Sequence, residues 1–256
     1  MDRDSWDAQR SSFGTAAALY DKVRPRYHSD ALRWALECIG RTQRVIDLGA
    51  GTGILSGQLI ASGFETVPVE PDPGMRDQCD VKLRELFGAA AGPALAGSAE
   101  DIPVPDGGAD AVIAGQAYHW FDPAKAHPEI ARVLSRGGVF APIWNIRDEN
   151  EPWVAELTTV LHSQDGTGVH AGWSNVDLGD HFTGTERATF RHAVRHTPDS
   201  LRDLLRSRSY YLTGDEGRRA TLERELGDLL TTHPDLTGRD EFDLPYVTVA
   251  YRARRR

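Results

Sequence analysis

Read for its apolar positions, the chain changes period repeatedly between strand and helix. Val45, Ile46 and Leu48 form a short apolar run closed by Gly49, which suits a strand buried on both faces of a parallel sheet. Residues 54–62 then read as a helix. Upstream, Leu32, Leu36 and Ile39 recur at helical spacing behind Ser29, a capping residue, and Gly40 provides a stop. A shorter helix fits residues 13–24, closed by Pro25. Downstream the alternation continues: a strand over 66–70, a helix with Met75, Cys79, Leu83 and Leu86 on one stripe, a weak strand over 94–97, and a strand over 110–115. Helical turns from Asp122, restarted at Pro128, lead to a strand over 139–144. Strand and helix alternate through most of this stretch, as in an α/β chain.

Beyond residue 145 the pattern loosens. Pro152 opens a helix bearing Trp153, Leu157, Val160 and Leu161. A polar, glycine-rich stretch over 164–185 follows, holding His170, Trp173 and His181, and a loop of that length usually serves as a lid or a binding element. Residues 189–196 alternate as a strand. Thr197-Pro198 starts a helix through Leu201, Leu204, Leu205 and Tyr211; residues 215–233 form another, with Leu222, Leu226 and Leu229 inward, and residues 242–252 make the final strand.

Composition narrows the classes. The 256 residues fit one ordinary domain with an elaboration, and the formal charge is −9. No stretch approaches the roughly 20 apolar residues of a membrane span, and the first seven residues show no apolar signal region, so a cytoplasmic protein without a membrane partner is expected. Cys38 and Cys79 lie on amphipathic helices and read as buried free thiols. His192 and His196 share a strand face at a spacing too wide for easy co-ligation, and no metal site is expected. Arg187, Arg191, Arg195, Arg202, Arg206 and Arg208 gather in one region, which reads as a solvated face and keeps an RNA partner as the alternative.

The chemistry centres on Asp47-Leu48-Gly49-Ala50-Gly51-Thr52-Gly53. Three alternate glycines let the backbone turn and approach a ligand closely, with the amides of the next helix pointing at it. A dinucleotide fingerprint needs Gly or Ala at its last position, yet Ile54 or Ser56 stands there, so a dehydrogenase site fails on register. Glu70, 17 residues past Gly53 and at a strand's carboxyl end, is placed to accept ribose hydroxyls.

The D-x-G-x-G-x-G run resembles the first motif of class I, Rossmann-like S-adenosylmethionine-dependent methyltransferases. Gln116-Ala117-Tyr118-His119-Trp120 resembles the Q-A-x-H-W segment of the type 11, trans-aconitate methyltransferase-like group that methylates small molecules, and Tyr20 to Tyr27 resembles that family's Y-x-x-x-R-P-x-Y leader. The resemblance implies an α/β fold with a seven-stranded, mostly parallel, doubly wound sheet whose last strand is antiparallel, with a helical cap or lid. It implies a lid over 1–28, a cofactor-binding core over 29–145, cap insertions over 146–185 and 197–236, and final strands over 186–196 and 237–256.

It further implies S-adenosyl-L-methionine as cofactor, with S-adenosyl-L-homocysteine as product. The cofactor would be held by Asp47, Gly49, Ala50, Gly51, Gly53, Glu70, Pro71, Met75, Ala99, Glu100 and Gln116, and by Tyr20 and Arg24 of the leader. Met75 reads equally as part of its helix's core stripe. His119, near the methyl group, is the candidate general base or a residue that orients its loop. Trp120, Trp173, Tyr210 and Tyr211 supply an aromatic lining for a partly apolar small-molecule acceptor. The protein would act as a monomer or homodimer, and a catalytically silent cofactor-binding protein is the other alternative.

Overall fold

The computed structural model of the protein describes residues 23–37, 39, 44–162 and 176–256. Within them the order is α1 (Ser29–Leu36), β1 (Arg44–Leu48), α2 (Ile54–Ala61), β2 (Glu65–Val69), α3 (Pro73–Phe87), β3 (Ala109–Gly115), α4 (Pro123–Val133), β4 (Leu134–Arg147), α5 (Pro152–His162), β5 (Glu186–His196), α6 (Pro198–Arg206), α7 (Ser209–Leu212), α8 (Glu216–Thr232) and β6 (Phe242–Arg254). The six strands form one sheet in the order β2-β1-β3-β4-β6-β5. The β1–β2, β1–β3 and β3–β4 pairs are parallel. The last strand runs antiparallel to β4: Arg255 N–H donates to the Gly138 carbonyl, and Asp148 N–H to that of Pro245.

Among the described residues six strands are found where seven are expected. Residues 94–97 do lie beside β2, where Leu95 N–H donates to the Pro68 carbonyl and the Leu95 carbonyl accepts from Glu70 N–H. They make only an isolated parallel bridge between Val69 and Leu95. The reason is local: small, weakly strand-forming residues surround Leu95, and the chain folds back so tightly that a Cβ on Gly97 would stand 2.5 Å from Pro103 Cδ.

The chain divides into two compact units. The sheet unit takes residues 26–145, 173–190 and 248–256. Its strands are buried on both faces, which is why their apolar residues run without interruption. Ile46, Leu48, Val112, Ala114 and Phe140 pack on one face with Ile130 of α4. Val45, Ala111, Ile113, Val139 and Ala141 pack on the other with Leu32 and Leu36 of α1 and Leu55 and Leu59 of α2. Leu178 and Phe182, in the tail of the expected 164–185 loop, are buried in the first of these cores; residues 163–175, with His170 and Trp173, lie outside the described residues.

The helical unit takes the chain up to Pro25, residues 146–172 and residues 191–247. Trp153, Leu157 and Leu161 of α5, Leu201, Leu204 and Leu205 of α6, and Leu222, Leu226 and Leu229 of α8 build its core around Phe242, Leu244 and Tyr246.

Three local readings change. His28, not Ser29, caps α1: its Nδ1 accepts from Asp30 N–H at 3.1 Å, while its own N–H donates to Thr248 Oγ1. The strand expected over 139–144 extends to Leu134–Arg147, because α4 passes directly into it at Leu134. The helix expected through Tyr211 breaks at Ser207, a fully buried residue whose hydroxyl donates to the Leu204 carbonyl and so competes with the helical ladder. Residues 13–22 and Cys38 lie outside the described residues, and Cys79 is a buried free thiol.

Candidate active site at the strand ends

At the carboxyl end of β1 the backbone turns through Gly49, Gly51 and Gly53, all with positive φ (74°, 56° and 77°). Gly49 and Ala50 donate their amides to the Val69 carbonyl, at the end of β2. Gly51 N–H donates to Glu70 Oε2 at 2.8 Å, and Asp72 N–H donates to Glu70 Oε1 at 2.9 Å. One buried carboxylate therefore joins the loop after β1 to the loop after β2. Burial raises the Glu70 carboxyl above the ordinary range, and the two amide hydrogen bonds pull it back.

The glycines meet different surroundings. A Cβ on Gly49 would stand 2.6 Å from Ala117 Cβ, and one on Gly53 would stand 2.7 Å from Cys79 Sγ. A Cβ on Gly51 would meet nothing within 4 Å. The first and third glycines admit close packing; the second faces open space beside Glu70.

Asp47 lies beneath this loop at 1% exposure. Its Oδ2 accepts from Ser56 Oγ at 2.6 Å, in the first turn of α2, and its Oδ1 is buried with no hydrogen-bond partner among the described residues. Burial outweighs the Ser56 bond and pushes the carboxyl up to about 7. Asp72 caps α3 by accepting Met75 N–H, and Arg76 donates to the Glu70 carbonyl. Met75 is buried in line with Cys79 and Leu83, while Pro71 is exposed at the bend.

Two further loops adjoin. Ala99 is buried in the core that also contains Ala117. Glu100 Oε1 accepts Asp122 N–H at 2.9 Å, which ties the 98–101 turn to the loop after β3. Gln116 opens that loop with φ 56°, a left-handed conformation that costs energy for a side chain and is commonest where function requires it. Its N–H donates to the Ile143 carbonyl and its Nε2 to the Asn145 carbonyl. Asn145 in turn accepts from Thr248 Oγ1 and donates to the Arg26 carbonyl.

His119 sits in the short helical turn Tyr118–Trp120. Trp144 Nε1 donates to its Nδ1 at 3.5 Å, and the Trp120 ring lies 5.0 Å away, centroid to centroid. Burial brings the imidazole down to about 4, so it is neutral at pH 7.

The structure thus brings Asp47, Gly49, Ala50, Gly51, Gly53, Glu70, Pro71 and Met75 together at one end of the sheet, adjoined by Ala99, Glu100, Gln116, His119 and Trp120. Arg24, Tyr210 and Tyr211 belong to the helical unit. There Arg24 donates to the Ser207 carbonyl at 3.3 Å, and Tyr211 donates to Glu223 Oε1 at 3.0 Å. Tyr20 and Trp173 lie outside the described residues. Tyr27 of the leader is buried, holding Gln58 of α2 through a reciprocal pair of hydrogen bonds. Sequence reasoning missed Ser56, Asp72 and Asn145. Only Asp72, directly before Pro73 at the start of α3, carried a readable signal, that of a helix cap.

Comparison with known proteins meets this geometry. A family model described as a methyltransferase domain matches residues 46–141, the segment that carries all of these loops except that of the leader. An uncharacterized methyltransferase of Mycobacterium tuberculosis is 42% identical over 243 residues, covering 94% of this chain and 95% of that protein. The chain belongs to the methyltransferase domain family. An uncharacterized methyltransferase of Schizosaccharomyces pombe is 30% identical over 249 residues, covering 95% of this chain and 97% of its own length. A solved structure from Anaeromyxobacter dehalogenans, assigned as a type II methyltransferase, superposes with a TM-score of 0.66 at 25% identity, covering 91% of this chain and 97% of that one. These matches establish the family and its Rossmann-like fold; the trans-aconitate methyltransferase-like subgroup rests on the Gln116–Trp120 resemblance alone.

Two predictions follow from the loop of this methyltransferase. Gly53→Ala combines left-handed strain, about 1–2 kcal/mol, with a collision at Cys79 that adds about 1–3 kcal/mol. Gly51→Ala incurs only the first cost, so it unfolds at a higher denaturant concentration than Gly53→Ala. Equal midpoints would contradict this difference in surroundings.

The second concerns Asp47, whose carboxyl rises from an unperturbed 3.8 to about 7. Between those values the folded chain holds a proton that the unfolded chain has released. The stability that this group contributes is complete below 3.8 and is lost as pH rises through about 7. Asp47→Asn removes that loss, so denaturant titrations should show the variant gaining on the wild type by roughly 2–4 kcal/mol between about pH 4 and pH 8. A difference that does not change with pH would refute the buried, protonated state.

Proposed function

We propose that this methyltransferase takes its methyl group from S-adenosyl-L-methionine and delivers it to an oxygen, nitrogen or carbon of a small organic molecule, releasing S-adenosyl-L-homocysteine. The observation that carries the reading is the open left-handed cradle at Gly51, held beside the buried Glu70 carboxylate. The residues present fit the cofactor. Each Glu70 oxygen takes one backbone amide and keeps capacity for a second donor, as two ribose hydroxyls require. Hydrogen bonds to such a charged acceptor contribute about 1.5–3 kcal/mol each. Met75, Ala99 and Glu100 supply the apolar surface and the acceptor suited to an adenine ring, and Asp47 supports the loop from below.

Bound there, the sulfonium supplies an electrophilic methyl group, and attack by an anionic nucleophile cancels charge, so exclusion of water favours transfer. Alignment of the acceptor can supply about 7–11 kcal/mol of the barrier, which leaves few side chains with chemical work. His119 is the proposed proton acceptor. A neutral imidazole held near 4 suits a proton released as an oxygen is methylated, because that oxygen becomes strongly acidic when the new bond forms. Nδ1 faces Trp144, so the resting ring carries its proton on Nε2, and a proton taken up at Nδ1 would replace the long Trp144 bond. Arg191, Arg195, Arg202 and Arg206 of the arginine-rich stretch are engaged by carboxylates, which supports a small acceptor over RNA.

His119→Asn should bind S-adenosyl-L-methionine as the wild type does and lose turnover by about 100-fold or more on the acceptor found by screening a metabolite panel for methylated product. Because its imidazole titrates near 4, wild-type kcat should show no acid limb from this residue at pH 6–7. Wild-type turnover in the variant would remove His119 from the chemistry.

A further inference from the structure

Bracing the glycine turn engages only part of Asp47. Ser56 Oγ donates to its Oδ2 at 2.6 Å, while Oδ1 is buried with no hydrogen-bond partner among the described residues. An asparagine could accept the Ser56 bond through its carbonyl oxygen just as well. What a carboxyl adds at this place is the capacity to gain or lose a charge.

The surroundings decide which form the chain holds. In the register of β1 and β2, Asp47 stands opposite Pro68, two residues before Glu70, and the Gly51 N–H that donates to Glu70 belongs to the turn that Asp47 supports. Two buried carboxyl groups thus occupy neighbouring strand ends. Glu70 has two backbone amides to offset its charge, whereas Asp47 depends on Ser56. On its other side β3 sets the apolar Ile113 opposite Asp47. From α3 come Cys79, whose thiol burial raises so that it stays neutral, and Lys82, whose charge is the smallest influence on Asp47. An ionised Asp47 would leave a desolvated oxygen without a donor beside a second negative charge, so the free chain favours the neutral acid. Burial, opposed by Ser56 and reinforced by Glu70, accordingly brings the carboxyl to about 7.

A cation bound over the turn reverses that balance. Charges separated by desolvated protein attract more strongly than in water, and the attraction favours the ionised form of a nearby acid. S-adenosyl-L-methionine carries a sulfonium charge that S-adenosyl-L-homocysteine lacks. We propose that Asp47 is a specificity-determining residue: it ionises when the cationic methyl donor binds, releasing its proton to solvent, and so favours the donor over the product. The inference deepens the methyl-donor reading and rests on it. Because binding favours the ionised acid, donor affinity rises with pH on the acid side of about 7 and levels off above it. Product affinity follows pH more weakly, since no sulfonium draws the proton off.

The test needs no methyl acceptor. Calorimetric titration of the full chain in buffers of different ionisation enthalpy counts the protons exchanged when each ligand binds. At about pH 6.5 an acid near 7 is still largely protonated, while an α-amino group, ordinarily near 7.7–8.0, is already charged. S-adenosyl-L-methionine should release more than about half a proton per site from the wild type, and S-adenosyl-L-homocysteine less than about half as much. In Asp47→Asn the release should vanish. The preference for donor over product at about pH 8 should fall by about tenfold or more in that variant, the factor that a pKa displacement of about 1 brings. Ser56→Ala, which removes a donor to the charged form, should keep the release and move the levelling-off of donor affinity to higher pH. The wild-type count does not depend on either variant folding. No release beyond that of Asp47→Asn, equal release with both ligands, or an unchanged preference in Asp47→Asn would overturn the inference. Donor binding without proton release refutes the inference alone, whereas absence of donor binding refutes the methyl-donor reading and the inference with it.

Discussion

The candidate site depends on the Glu70 carboxylate. At 7% exposure it accepts the amides of Gly51 and Asp72, so a buried negative charge fixes two loops from adjacent strands with one side chain. Hydrogen bonds from backbone N–H groups to a charged acceptor are among the stronger ones in proteins. They offset the cost of burying the charge, and they hold the glycine turn in a conformation that only glycine adopts without strain. The remaining loops are then set by contact: Gly49 against Ala117, Gly53 against Cys79, and Glu100 onto Asp122.

Two ionisable groups near this turn are held away from their usual charge states by burial. Asp47, near 7, sits on the boundary between acid and carboxylate, and His119, near 4, stays neutral across the ordinary working range. Burial raises Glu70 as well, but the amides of Asp72 and Gly51 favour its charged form. That arrangement suits a ligand that brings hydroxyl donors and a positive charge, and it is poorly suited to a pyrophosphate, which would add negative charge next to the same carboxylate.

Much of the sheet unit was legible in the sequence because its cues are local. Apolar runs such as Val45 to Leu48 announce strands buried on both faces, and the register of the three glycines separates this loop from a dinucleotide fingerprint. The seventh strand failed because Leu95 contributes a single bridge among small residues, a matter of pairing that periodicity does not report. The cap on α1 moved from Ser29 to His28 because the position of His28 is set by Thr248, which is 220 residues away. Ser56 beneath Asp47 and Asn145 between Gln116 and Thr248 were illegible for the same reason. Each joins residues that only the folded chain brings together. The arginine-rich stretch was read as one solvated face, and its composition could not show that Arg195 and Arg206 pair with Asp243 and Glu223.

The central claim is that the turn pinned by Glu70 holds an adenosyl sulfonium. Calorimetric titration of the wild type and of Glu70→Ala with S-adenosyl-L-methionine, and of the wild type with a nicotinamide dinucleotide, tests it most directly. The account predicts saturable binding of S-adenosyl-L-methionine, weakened by about tenfold or more in Glu70→Ala, and no binding of the dinucleotide. Binding of the dinucleotide alone, or an unchanged affinity in Glu70→Ala, would contradict it.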